Sequence, residues 1–324
     1  MIKRKFLAGV LATSIIFSGA IASEKAEENS KCVPLKEFTV EKAKKLLKDY
    51  LQGGVKVVGV AKSPIDTLYE VDVEVNGRRF PVYVDCGLNY LVMGRIIDID
   101  KQKDLTKART EELTKQALEE RSKELEKVLG KETVAKLKEA LGPRAGDIKI
   151  ADLSGIKDLD PAGMVIIGDP NAKHTIYVVD DPECPFCAKL DEEIKKVLEK
   201  RKDVKFVIIL HPLSFHRHAA GITRNIICTE DPKKKAEILE QAFEAVRNRD
   251  TKKLSELELK DKCEKKDARL VVSQNYKFAQ SAGIRGTPGL IFPKGVVVGG
   301  YIPADKIEKI LDALVSEEKS AEKK

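Results

Sequence analysis

Three hydrophobic rhythms succeed one another along the chain. In residues 40–52 the apolar positions Val40, Ala43, Leu46, Leu47, Tyr50 and Leu51 recur at helical spacing, with Thr39 placed to cap the helix and Gly53-Gly54 to end it. Strand-like segments follow at 55–60, 67–75, 78–85 and 90–98, and Asn76-Gly77 between the second and third is a strong two-residue hairpin signal. Residues 33–100 therefore read as a small α+β domain. A domain of that size has a thin core, which oligomerisation can remedy. The segment Tyr90-Leu91-Val92-Met93 is apolar enough to add a strand to a partner's sheet.

The second rhythm is polar. Of the 42 residues in 101–142, 20 are charged, with Leu113, Ala117, Leu125 and Val128 at helical spacing and Gly130 as a break point. This stretch reads either as a solvated helical spacer or as the charged face of a packed helix, and Gly142-Pro143 opens a loop-rich connection to 162. From 163 the pattern becomes α/β. Strands fit 163–167, 174–180 and 204–210, and helices fit 185–200, 216–229, 232–247 and 267–282. A strand pair at 289–292 and 295–299 precedes a helix at 303–316.

Charge changes the reading at the amino end. Lys3, Arg4 and Lys5 precede the apolar run 6–22, which ends in Ala20-Ile21-Ala22, the arrangement of a cleaved secretory signal over 1–22. Of the 324 residues, 59 are basic and 52 acidic; without residues 1–22 the balance is 56 to 52, a charge of +4. So slight an excess argues against a nucleic-acid partner. Beyond the signal, which would anchor the chain if uncut, no apolar run is long enough to span a membrane. An exported chain with six cysteines is expected to carry disulfides.

Cys184-Pro185-Phe186-Cys187 follows an apolar strand and opens a helix. A cysteine there faces the unpaired N–H groups and the positive end of the helix dipole, both of which favour thiolate. Pro185 suits the first helical position. Thiolate is the nucleophile of disulfide exchange, so Cys184 is expected to be the exposed nucleophile and Cys187, one turn on, the shielded resolving thiol. A zinc half-site would need a second ligand pair at short spacing, and none is present; no metal and no cofactor beyond this redox pair is expected. About 100 positions later Thr287-Pro288 stands immediately before a strand, resembling the thioredoxin fold. In that fold the proline is cis, lies beside the nucleophile, and follows a residue whose backbone pairs with extended substrate.

Cys228 and Cys263 bracket a helical stretch and are expected to form a structural disulfide, worth roughly 3–4 kcal/mol on the chain-entropy model. Cys32 and Cys86 have three open fates: a bridge tying the arm to the sheet, a link between protomers, or free thiols. His211, His216 and His218 read as a solvated loop or helix start rather than a metal site, and His174 as structural.

With these residues in hand, the whole chain resembles the bacterial periplasmic disulfide isomerases of the DsbC/DsbG family. The resemblance is carried by the signal, the segment 67–94, DPECPFCAKL, the Cys228/Cys263 pair and GTPGLIFPKGVVVGGY. It covers 33–100 and 163–316. It implies an α+β protein with a small N-terminal dimerisation domain, a charged helical linker over 101–162 and a thioredoxin-like catalytic domain with a helical insertion. It further implies a V-shaped homodimer in the periplasm, mis-bridged exported proteins as substrates, a membrane thiol reductase as electron donor, and chaperone-like binding of misfolded chains. The chain departs from the family in a longer connection, in the extra Cys32 and Cys86, and in Pro185-Phe186 between the active cysteines. The rival readings are a dedicated oxidase or reductase on the same fold, and a holdase chaperone with incidental thiols.

Overall fold

The computed structural model describes residues 32–50, 55–75, 77–260 and 267–321. The expected signal over 1–22, the Gly53-Gly54 helix end, Asn76 and Cys263 lie outside the described residues. Among the described residues no helix is long and apolar enough to cross a membrane. The chain divides into two compact units, 1–115 and 116–324.

In the first unit Thr39 caps α1 (Val40–Leu47), its hydroxyl accepting from the Lys42 N–H at 3.3 Å. Strands β1 (Lys56–Lys62), β2 (Leu68–Val75), β3 (Arg78–Asp85) and β4 (Leu91–Val92) form one antiparallel sheet in that order. Alternation along β2 and β3 sends Val71, Val73, Val82 and Val84 to one face, where they bury Phe38, Ala43 and Leu47 beside α1. The same alternation sends Glu70 and Asp72 to the other face. There Arg109 bonds both, at 2.7 Å and 2.9 Å, and the Tyr83 hydroxyl meets that of Thr106 at 2.7 Å. Cys32 and Cys86 are joined by a disulfide, with Cα atoms 4.6 Å apart, so the arm is tied to the end of the sheet.

The single strand expected over 90–98 is shorter and divided. Asp85 accepts from the N–H groups of Gly87, Asn89 and Tyr90, which turns the chain sharply before β4. Ile97–Asp98 is a separate β5, paired with β6 (Lys103–Asp104).

The charged stretch is helical, as α2 (Leu105–Leu129) and α3 (Lys131–Leu141), broken at Gly130, whose φ of 82° suits glycine. The boundary between the units falls within α2. Of the two readings of this stretch, packing wins for its second half: Leu125, Leu129, Val134, Leu137 and Leu141 join the main core of the second unit. Val128, expected on the apolar face, is exposed, and Leu129 takes its place.

The second unit holds a six-stranded sheet in the order β7-β12-β11-β9-β10-β8, formed by β7 (Lys149–Ile150), β8 (Met164–Ile167), β9 (His174–Asp180), β10 (Val204–Leu210), β11 (Gly289–Ile291) and β12 (Val296–Gly299). Strands β9 and β10 are parallel neighbours joined through α4 (Pro185–Lys200); the other pairings are antiparallel. Successive residues point to opposite faces. Ile176, Val178, Phe206 and Ile208 join the core containing α4 and α9 (Ala304–Ala321), while Val179, Ile209, Ile291 and Val297 pack with Phe278 of α8 (Ala268–Ser281). Between β10 and α8 lie α5 (Ala219–Cys228), α6 (Pro232–Asn248) and the short α7 (Thr251–Glu256), which hydrophobic periodicity did not reveal.

Candidate active site

Cys184 occupies the N-cap of α4, with extended backbone angles, and Pro185 takes the first helical turn. The reason is local. Proline suits a helix start, while Asp181 turns the chain out of β9 by accepting the Glu183 N–H at 2.7 Å. The Asp181 carbonyl accepts the Cys184 N–H at 3.1 Å.

Opposite Cys184 the Thr287–Pro288 peptide is cis, and the Thr287 carbonyl oxygen lies 3.7 Å from the Cys184 sulfur. This contact corrects the expectation of an exposed nucleophile: Cys184 is 4 % exposed against 0 % for Cys187. The two thiols keep their expected order of access, but both are recessed. The Thr287 hydroxyl is buried and has no hydrogen-bond partner among the described residues.

The electrostatics of the two thiols diverge. A hydrogen bond from Cys187, aided by the backbone N–H groups of Cys187 and Phe186, lowers the Cys184 pKa from its ordinary 9.0 to about 6, against the opposing effect of burial. Burial pushes the Cys187 pKa well up, and its role as donor to Cys184 adds to the shift. Beneath them lies Asp180, the last residue of β9, which is 2 % exposed and hydrogen-bonded to Cys187. Burial lifts its pKa to about 8.

Of the expected solvated loop or helix start, the helix start holds, with His218 as the N-cap of α5, but the histidines of the segment are not solvated. His211 is 7 % exposed, its ring packs 4.1 Å from that of Tyr276, and burial lowers its pKa to about 4. His216 Nδ1 lies 2.9 Å from Asp181 Oδ2, and His218 Nδ1 lies 2.6 Å from Glu258 Oε1. Burial raises the Asp181 pKa, although the Leu213 N–H and His216 both work the other way. Among the described residues no cluster of histidine, cysteine and carboxylate is suited to hold a metal ion. The loop runs further than expected, because the helix expected from 216 begins only at Ala219, where the Glu183 carboxylate accepts from the N–H groups of His218 and Ala219.

Asp180, Asp181 and Glu183 were thus missed as site residues. The signal was present in the acidic run Asp180-Asp181-Pro182-Glu183 directly before the first cysteine. Cys228 ends α5 and is disulfide-bonded; its expected partner Cys263 lies outside the described residues.

A paired thiol at a helix start, a cis-proline beside it and a mixed sheet with helices on both faces define a thioredoxin-like dithiol domain. The comparisons agree: residues 164–314 match the thioredoxin-like domain model, and residues 21–107 match the N-terminal domain of disulfide bond isomerase proteins. The chain thus carries, in order, a match to the N-terminal domain of disulfide bond isomerase proteins and a match to a thioredoxin-like domain, and it is similar to DsbC-type thiol:disulfide interchange proteins. The thiol:disulfide interchange protein DsbC of Dickeya dadantii is 27 % identical over 151 residues, 46 % of this chain and 55 % of that one. Its counterpart in Haemophilus influenzae is 26 % identical over 167 residues, 51 % and 63 % of the two chains. The chain thus spans little more than half the length of these relatives. Among solved structures, a periplasmic thioredoxin-like protein from Salmonella enterica serovar Typhimurium is 21 % identical with a TM-score of 0.43, over 52 % of this chain and 99 % of that one. The compact conformation of Proteus mirabilis ScsC is 18 % identical with a TM-score of 0.42, over 65 % and 99 %.

Proposed function

We propose that this protein is a periplasmic thiol–disulfide exchange enzyme with isomerase character, acting on mis-bridged exported proteins. The observation that carries the reading is the unequal pair of thiols. Cys184, with a pKa of about 6, is largely thiolate at neutral pH, while Cys187 is held as a thiol.

In the reaction the Cys184 thiolate attacks one sulfur of a client disulfide. A Cys184–client disulfide forms, the client bond breaks, and the departing client sulfur leaves as thiolate. A second client thiolate can then attack the client sulfur of the mixed disulfide. That step makes a new client disulfide and releases Cys184 with no net redox change. Alternatively Cys187 gives up its proton and attacks Cys184. The client leaves reduced, and a Cys184–Cys187 disulfide remains that needs two electrons from a thiol donor. We assign to Asp180 the proton released by Cys187: it is hydrogen-bonded to that thiol, and a pKa of about 8 lets it change protonation near neutrality. The extended substrate segment would run past Thr287 and Pro288, beside the nucleophile.

The N-terminal domain supports a homodimer, and Tyr90 and Met93, both more than 70 % exposed, offer apolar surface next to the short β4. A membrane thiol reductase would return Cys184 and Cys187 to the reduced state. Chaperone-like holding of misfolded chains is compatible with this assignment.

One observation favours a second reading. A low nucleophile pKa stabilises the reduced form and so makes the disulfide form an oxidant, as a dedicated oxidase requires. The test is recovery of activity from a scrambled multi-disulfide protein, with catalytic reduced enzyme in a fixed glutathione buffer. Recovery well above buffer supports isomerisation. Loss of disulfides without recovery points to a reductase, and oxidation of reduced substrate without reshuffling to the oxidase.

A further inference from the structure

Helix α8 covers only part of its face of the sheet. Its Phe278 packs with Val179 of β9 and Ile209 of β10. Two residues earlier on each strand, Tyr177 and Val207 face the same way and line a cavity of about 800 Å³. That volume falls within the roughly 300–1,000 Å³ of small-molecule sites. Ile166 of the edge strand β8, the register partner of Val207, extends the floor. Ile156, Leu159 and Ile227 complete an aliphatic lining. The cavity lies on the face of the sheet away from α4, whose core takes in Ile176 and Val178 instead. A strand rises about 3.3 Å per residue, so Thr175 on this floor stands about 16 Å along β9 from Asp180 at the dithiol.

Three polar groups of the lining lie together. Lys205 stands opposite Thr175 in the register of β9 and β10, and Tyr177 follows Thr175 on the same face. Lys205 is half-buried; its ammonium donates to the Pro170 carbonyl at 2.5 Å and has no carboxylate partner among the described residues. Neither the Thr175 nor the Tyr177 hydroxyl has a hydrogen-bond partner among the described residues, and burial raises the Tyr177 pKa. The other charges of the lining are engaged or face water. The Lys235 ammonium donates to the Ala162 carbonyl at 2.9 Å, Asp160 accepts the Ala162 N–H at 2.8 Å, and Lys157 and Glu230 are exposed. A half-buried cation beside two idle hydroxyl donors suits a carboxylate. Tyr177 is the one aromatic residue of the described lining, so the cavity offers contact to an alkyl chain and little ring stacking.

From this juxtaposition we propose that the cavity binds a free aliphatic monocarboxylate, its carboxylate held by Lys205 and the hydroxyls of Thr175 and Tyr177, its alkyl chain lying over Val207 and Ile166. The site is separate from Cys184 and does not rest on the exchange reading.

The test is calorimetric titration of the full chain with three probes that share a decyl-length chain: decanoate, decanol and decyltrimethylammonium. The expected result is one decanoate per chain, bound about tenfold more tightly than either other probe. Lys205→Gln should remove that preference, Lys205→Arg should keep it, and Cys184→Ala should bind decanoate like the unmodified protein. The comparison of probes on the unmodified protein does not depend on any variant folding. No saturable binding, equal binding of decanoate and decanol, or a preference that survives in Lys205→Gln would overturn the site. Displacement of decanoate by a stoichiometric unfolded protein would assign the cavity to polypeptide and overturn it equally.

Discussion

The carbonyl oxygen of Thr287 lies 3.7 Å from the sulfur of Cys184, although 103 positions of sequence separate them. Two elements bring them together. The cap of α4 sets the sulfur at the end of β9, and β11 pairs with that same strand, Gly289 opposite Val179. The loop before β11 must therefore cross the site. A cysteine that is 4 % exposed and met by the Cys187 thiol and by backbone N–H groups is chemically biased toward thiolate.

The first prediction concerns that thiolate. With a pKa of about 6, alkylation of Cys184 by iodoacetamide should be nearly constant from pH 7 to 9 and fall about tenfold per pH unit below 6. An unperturbed thiol would instead lose rate across the whole range below pH 9. Cys184→Ala should remove exchange activity altogether, which a scrambled-substrate assay reads directly.

Asp180 yields a stability prediction with a definite sign. Its pKa rises from an ordinary 3.8 to about 8 on folding, so between those values the folded protein binds the proton more tightly than the unfolded chain. Stability contributed by this group is present at low pH and is lost as pH rises toward 8. Asp180→Asn should stabilise the reduced protein at pH 8 by on the order of 1–3 kcal/mol and flatten the pH dependence of its Tm. The same variant should slow closure of the Cys184–Cys187 disulfide by about 100-fold, measured by rapid quench of the mixed disulfide.

Arg109 holds two carboxylates that are buried in the first unit. Its guanidinium bonds Glu70 at 2.7 Å, Asp72 at 2.9 Å and Glu112 at 3.0 Å. Arg109→Met leaves Glu70 and Asp72 without that cation and should cost about 2–3 kcal/mol, discounted for the partial exposure of the arginine. Adding Glu70→Gln and Asp72→Asn should return most of the loss. Urea denaturation of the full chain, followed by a probe in the first unit, separates the two outcomes.

The bridge between Cys32 and Cys86 closes a loop with a sequence separation of 54. Replacing both cysteines by alanine should lower the stability of the first unit by about 2–4 kcal/mol on the chain-entropy account. The alkylation rate of Cys184 should be unaffected, since these residues belong to the other unit. A large change in that rate would show that the bridge serves the site.

Much of the architecture was legible because it is local. Alternation along residues 67–85, the Thr39 cap, the glycine break at 130 and the start of α4 at Cys184-Pro185 each depend on a few neighbouring residues. Periodicity and capping report such neighbours directly. The placement of Thr287-Pro288 before a strand was readable for the same reason. Short or irregular elements escaped. Lys149–Ile150 is a strand only because β12 offers it an edge, and Thr251–Glu256 is too short to show a period.

The sequence by itself determined which residues carry the chemistry: two cysteines one helical turn apart, the first at a helix start where backbone N–H groups favour a thiolate. Tertiary structure alone decided how that chemistry is tuned. Asp180 is an ordinary carboxylate until the sheet and helices close over it and remove its water, and only then does its pKa rise to about 8. His216 looks like a loop residue until the ends of two parallel strands set it 2.9 Å from Asp181. Burial and long-range pairing depend on the path of the whole chain, which no local window of residues contains.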